Sequence, residues 1–107
     1  MQEENNIKIV RKDNYFITQG MNDYNKKEVV ISLDIDEKLA NDILTIYCKK
    51  IIKNKTVPVK DDSSLNCSVY FKEVGNYIII VFPDPYGKYP WDEDCTEEYC
   101  NQLELNI

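Results

Sequence analysis

The 107-residue sequence contains no histidine, three isolated glycines, one arginine and one tryptophan. Without histidine it lacks the commonest general base and the commonest metal ligand near neutral pH. Gly20, Gly75 and Gly87 stand too far apart to form a phosphate-cradling loop. None of the four cysteines (48, 67, 95 and 100) has a histidine to activate it as a nucleophile. The longest uncharged apolar run, residues 77–83, is seven residues long, whereas a membrane-spanning helix needs about twenty. No membrane partner is expected. The opening Met1-Gln2-Glu3-Glu4-Asn5-Asn6 is acidic and polar, the opposite of a secretory leader. The expected compartment is therefore the reducing cytoplasm, with the cysteines as free thiols.

What is present describes one small folded unit. The fractions, 43% hydrophobic and 30% charged, suit a single domain over residues 1–107 with one modest core. Net charge is −6, which argues against direct nucleic-acid binding. The charge is unevenly placed. Residues 84–107 hold seven acids (Asp84, Asp92, Glu93, Asp94, Glu97, Glu98, Glu104) and one base, Lys88. Residues 1–83 balance at twelve of each sign.

Hydrophobic patterning predicts an α+β fold in the order ββ-β-α-ββ-α. Short β-type runs occupy residues 7–10 and 15–18, and a third, rich in β-branched residues, covers 28–35. Residues 19–27 and 60–64 read as polar connections. Asp36 can cap a helix in which Leu39, Ala40, Ile43, Leu44, Ile46, Tyr47 and Ile51 share an arc of about 160°. Pro58 and the preceding Val57 end it by about Asn54. Residues 65–72 and 77–82 form two more strands around a hairpin turn at 73–76. The second lacks alternation, so it belongs in the middle of the sheet with both faces covered. The assembly is a mostly antiparallel sheet of about five strands with two helices.

The second helix is expected over residues 92–103, with Leu105 and Ile107 trailing. On a helical wheel Cys95, Tyr99 and Leu103 form a stripe, and Glu93, Asp94, Glu97, Glu98 and Glu104 fall opposite. Acids in a first turn interact favourably with the helix dipole. Like charges four apart repel by about 0.2–0.5 kcal/mol per pair, so stability alone neither demands nor forbids an acidic face. Cys95 and Cys100, rotated by about 140° beyond a full turn, cannot share a face of a continuous helix. A four-cysteine zinc site is therefore not expected, and neither another metal nor a cofactor is implied. Just before this segment Tyr86, Tyr89 and Trp91 are stiffened by Pro85 and Pro90. Aromatics on a rigid loop are frequent interface anchors. The alternative is that they fold back over the core edge, Trp91 more readily than Tyr86 or Tyr89. The candidate partner-binding residues are Tyr86, Tyr89, Trp91, Asp92, Glu93, Asp94, Glu97 and Glu98, and no catalytic set is assigned.

In size, acidity, α+β order, the AT-rich codon usage implied by twelve lysines to one arginine, and the segment Tyr86-Gly87-Lys88-Tyr89-Pro90-Trp91-Asp92-Glu93-Asp94, the chain resembles the small immunity proteins of bacterial toxin–immunity systems. These include systems of contact-dependent growth inhibition. The resemblance implies a non-catalytic cytoplasmic protein that binds and blocks a cognate toxin, commonly a basic nuclease. A phage-encoded nucleic-acid mimic that inhibits a host protein would use the same surface. A small enzyme built on carboxylates such as Asp92 and Glu97, or on a cation held by Asp34 and Asp36, is the third reading. The lysines at 49, 50, 53, 55 and 60 read as the wet face and end of the first helix.

Overall fold

The computed structural model describes residues 7–104. The expectations for the acidic start (residues 1–6) and for Leu105 and Ile107 lie outside the described residues. Six strands form one sheet: β1 (Lys8–Arg11), β2 (Phe16–Gln19), β3 (Glu28–Ile31), β4 (Lys60–Asp61), β5 (Val69–Val74) and β6 (Tyr77–Val81). Their spatial order is β1-β2-β3-β6-β5-β4. Only β3 and β6 run parallel, and the other four pairings are antiparallel. The α+β class and the mostly antiparallel sheet match the reading of the sequence.

Strand β6 sits in the middle of the sheet, as its unbroken apolar run requires, and Ile78, Ile79, Ile80 and Val81 are all fully buried. The hairpin from β5 turns on Gly75 and Asn76, between the paired residues Val74 and Tyr77. Gly75 carries a φ of +61°, the positive value that a II′ turn places at its first central residue.

Helix α1 (Glu37–Lys53) lies across one face of the sheet. Asp36 caps it, its carboxylate accepting from the Leu39 amide at 3.2 Å, and it stops at Asn54. The buried stripe is Ala40, Ile43, Leu44, Tyr47, Cys48 and Ile51. It is turned relative to the expected arc: Cys48 is inside, while Leu39 and Ile46 are exposed. Tyr47 on this stripe reaches Phe71 on β5, the two rings meeting edge-on at 5.1 Å. Burying side chains such as Ile43, Leu44 and Ile51 stabilises the fold by about 1.5–3 kcal/mol each.

Two elements were not foreseen. Strand β4 falls in what reads as a polar connection. Its two residues have no apolar signature and become a strand only because β5 offers an edge, pairing Lys60 with Tyr70 and Asp61 with Val69. A 3-10 turn, Met21–Tyr24, interrupts the expected polar loop and drops Met21 into the core. Asp61 ties β4 to the helix. The Tyr47 hydroxyl donates to its carboxylate at 2.6 Å, and Lys50 lies 3.9 Å away. Burial opposes ionisation of Asp61, but hydrogen bonds from Tyr47, Ser63 and Ser64 outweigh it and hold its carboxyl below the usual range. Burial, reinforced by Asp61, pushes the Tyr47 phenol well above the ordinary tyrosine value.

Candidate interaction surface

The other face of the sheet carries a smaller core of Ile17, Val30, Ile79 and Val81, against which Tyr70, Tyr77, Tyr89 and Leu103 pack. The segment after β6 crosses this face, and its course is set by two buried polar side chains. The first is Asp84, which lies between Pro83 and Pro85. Its Oδ1 accepts from the amides of Tyr86 (2.9 Å) and Lys88 (2.8 Å). Its Oδ2 accepts from the Thr96 amide (2.9 Å) and hydroxyl (2.8 Å). Burial disfavours the charge, yet the bonds from Lys88, Thr96 and Tyr86 prevail and lower the carboxyl from 3.8 to about 2. One carboxylate thus closes the 84–88 turn and clamps it to Thr96.

The second is Gln102, which is fully buried. Its amide accepts from Phe82 N–H at 2.8 Å and donates to Phe82 C=O at 2.7 Å and to Tyr99 C=O at 2.8 Å. A side chain here takes the place of a strand partner for the residue following β6.

The clamp overrides the expected second helix. Regular helix is confined to α2 (Glu97–Cys100), a single turn with Thr96 as its N-cap. Residues 92–96 are not helical, because their polar groups find nearer partners. Asp92 Oδ2 accepts from the Tyr89 amide at 2.8 Å, Asp92 N donates to Tyr89 O at 2.8 Å, and Thr96 is held by Asp84. Short polar side chains compete with helical bonding in this way. The acidic helical face expected from the wheel is accordingly not a helical face. Glu93 and Asp94 belong to the preceding turn, and only Glu97 and Glu98 stand on α2.

The aromatics divide. Tyr86, at the tip between Pro85 and Gly87, is 81% exposed. Gly87 has a φ of +80° with open space around it, so backbone conformation rather than room calls for glycine. Tyr89 is half-buried; its hydroxyl donates to Ser68 O at 2.8 Å. Burial first, then Tyr70, Cys67 and Asp92, push its phenol up. Trp91 stacks on Tyr89 (5.3 Å, 4° between planes), and Tyr70 meets both rings edge-on at 5.0 Å. Trp91 nevertheless remains 47% exposed, with Lys72 Nζ 4.9 Å from its ring centre. Each ring pair adds about 0.5–1.5 kcal/mol to its area burial. Tyr70 and Lys72, one strand face apart by two residues, complete this ledge. Nothing in the sequence singled them out, because only the fold brings β5 under the loop. Asp84 had a local signal, an aspartate between two prolines, whereas Gln102 had none.

Against protein-family models, curated proteins and solved structures, the chain matches none.

Among the described residues five ion pairs form, and their acids are Asp34, Glu73, Asp42, Asp61 and Asp62. All belong to the body of the protein. No lysine or arginine among the described residues pairs with Glu93, Asp94, Glu97 or Glu98, and all four are exposed. The Asp34/Asp36 couple is divided between two tasks, Asp34 pairing with Arg11 at 3.3 Å and Asp36 capping α1. Among the described residues no three His, Cys, Asp or Glu side chains gather as a metal site, and no helix is long and apolar enough to cross a membrane. In the basic stretch, Lys50 donates to Ser64 Oγ at 2.7 Å and Lys60 approaches the Tyr70 ring at 5.6 Å.

Proposed function

We propose that this protein is a non-catalytic inhibitor that blocks a basic partner, a cognate bacterial toxin of nuclease type, in the cytoplasm. The docking surface is the 86–98 segment. Tyr86 and the exposed edge of Trp91 supply aromatic anchors, and Glu93, Asp94, Glu97 and Glu98 supply charge. Asp92 and Tyr89 hold the segment's shape from within.

The observation that carries this reading is the contrast in pairing. Five of the ten described acids before residue 84 are matched with bases, while among the described residues none of the four exposed carboxylates after Trp91 has a cation against it. Unmatched charge on a stiff loop is suited to a cationic cleft. There it accelerates encounter and orients the partner, at little cost in loop ordering.

The test has two steps. The product of the neighbouring gene is co-expressed and purified with this protein, and a one-to-one complex that abolishes its nuclease activity is expected. Reversing Glu93, Asp94, Glu97 and Glu98 to lysine then slows association by about tenfold or more at low salt, with the gap closing as salt rises. Y86A instead speeds dissociation. If the reversed variant folds and associates at the unaltered rate, the electrostatic surface is not the interface.

A further inference from the structure

Cys95 and Cys100 are five positions apart, a spacing that separates them on a continuous helix. The helix, however, begins between them. Thr96 is the N-cap of α2, so Cys95 precedes the cap and Cys100 is the fourth residue after it. These are the two positions whose side chains close over a helix start, where an apolar pair ordinarily fixes the entry angle of the chain.

The surrounding bonds hold that arrangement. The amides of Tyr99 and Cys100 both donate to Thr96 O at 2.9 Å, coiling Cys100 back toward the cap. Asp84 clamps the cap residue itself at 2.8 and 2.9 Å, so the chain at Cys95 is not free to drift. Cys95 Sγ lies 3.7 Å from Lys88 O, and Cys100 Sγ lies 3.2 Å from Glu97 O. Burial, then the charges of Asp84, Cys100 and Asp92, push the Cys95 thiol up. Both are partly open to solvent. Cys48 is instead buried beneath α1, and Cys67 packs against the main core.

We propose that Cys95 and Cys100 are a dithiol that a small-molecule disulfide converts to an intramolecular cystine. One cysteine thiolate attacks a sulfur of glutathione disulfide. A protein–glutathione bond forms as the glutathione S–S bond breaks, and one glutathione thiolate leaves. The second protein thiolate attacks the protein sulfur of that mixed disulfide, closing Cys95–Cys100 and expelling the second glutathione. The two protons lost by the protein are taken up by the two released thiolates. The protein is oxidised by two electrons and glutathione disulfide is reduced. The new bond joins the Asp84-clamped loop to α2. This inference does not depend on what the acidic surface binds.

The experiment equilibrates the whole protein in glutathione redox buffers, quenches with acid, and reads intact mass and peptide maps. The expected product has lost two hydrogens, carries no glutathione, and yields one peptide linking Cys95 to Cys100. C95S and C100S should each stop at a glutathione adduct, and C48S/C67S should still close the bond. Because the native fold holds the pair together, the equilibrium constant for closure should be about tenfold or more higher in buffer than in urea. That comparison uses the natural protein and needs no variant to fold. A glutathione adduct as the end product, a bond to Cys48 or Cys67, a bond between two molecules, or an equal constant in urea would each overturn the proposal.

Discussion

Gln102 offers the sharpest check on how the C-terminal segment is held. Replacing it with alanine removes one acceptor and two donors, leaving Phe82 N–H and Phe82 C=O without their partners and Tyr99 C=O with the longer bond from the backbone amide of residue 102, at 3.4 Å. A typical intramolecular hydrogen bond contributes about 0.5–1.5 kcal/mol net, and a buried group left unpaired costs about 1–3 kcal/mol. Three bonds around a fully buried amide therefore set the expected loss at about 2–4 kcal/mol. The loss has a ceiling. If residues 99–104 peel away, water reaches Phe82 and the cost becomes that of detaching the segment. Urea unfolding measures the global part, and hydrogen exchange at the Phe82 amide measures the local part. Q102E sharpens the test, because a carboxylate has nothing to donate to the two carbonyls. Its folded-state pKa should lie above the unfolded value, so the variant is more stable in acid and loses ground as pH rises above the unfolded glutamate value of about 4.3. A Q102A protein with wild-type urea midpoint and unchanged protection at Phe82 would refute the assignment of Gln102 as the pin.

Three further outcomes are expected. Asp84 is depressed from 3.8 to about 2, so its contribution is complete above the unfolded value and lost as pH falls through about 2; D84N should flatten that acid limb in urea midpoints measured against pH. G75A meets no steric obstacle but forces alanine to a φ of +61°, and thermal unfolding should show a loss of about 1–2 kcal/mol. Y47F removes the 2.6 Å bond to Asp61; a loss of about 1–2 kcal/mol by urea unfolding is expected.

The sequence by itself determined those elements whose causes are local. Asp36, the apolar spacing from Ala40 to Ile51 and the break at Pro58 delimit α1. An apolar run without alternation puts β6 at the centre, and Gly75 makes the turn before it. The excess of acid after residue 83 was equally plain, since counting charges requires no fold. Tertiary structure decided the rest, because the partners involved are far apart in the chain. Lys60 and Asp61 are a strand only beside β5. Tyr89 is turned inward by Ser68 and Tyr70, about twenty residues earlier. Residues 92–96, amphipathic on a wheel, give up the helix because Asp84 takes the Thr96 amide and hydroxyl and the Asp92 carboxylate turns back to the Tyr89 amide. Local propensity is worth a few tenths of a kcal/mol per residue, and a buried carboxylate making four hydrogen bonds outweighs it.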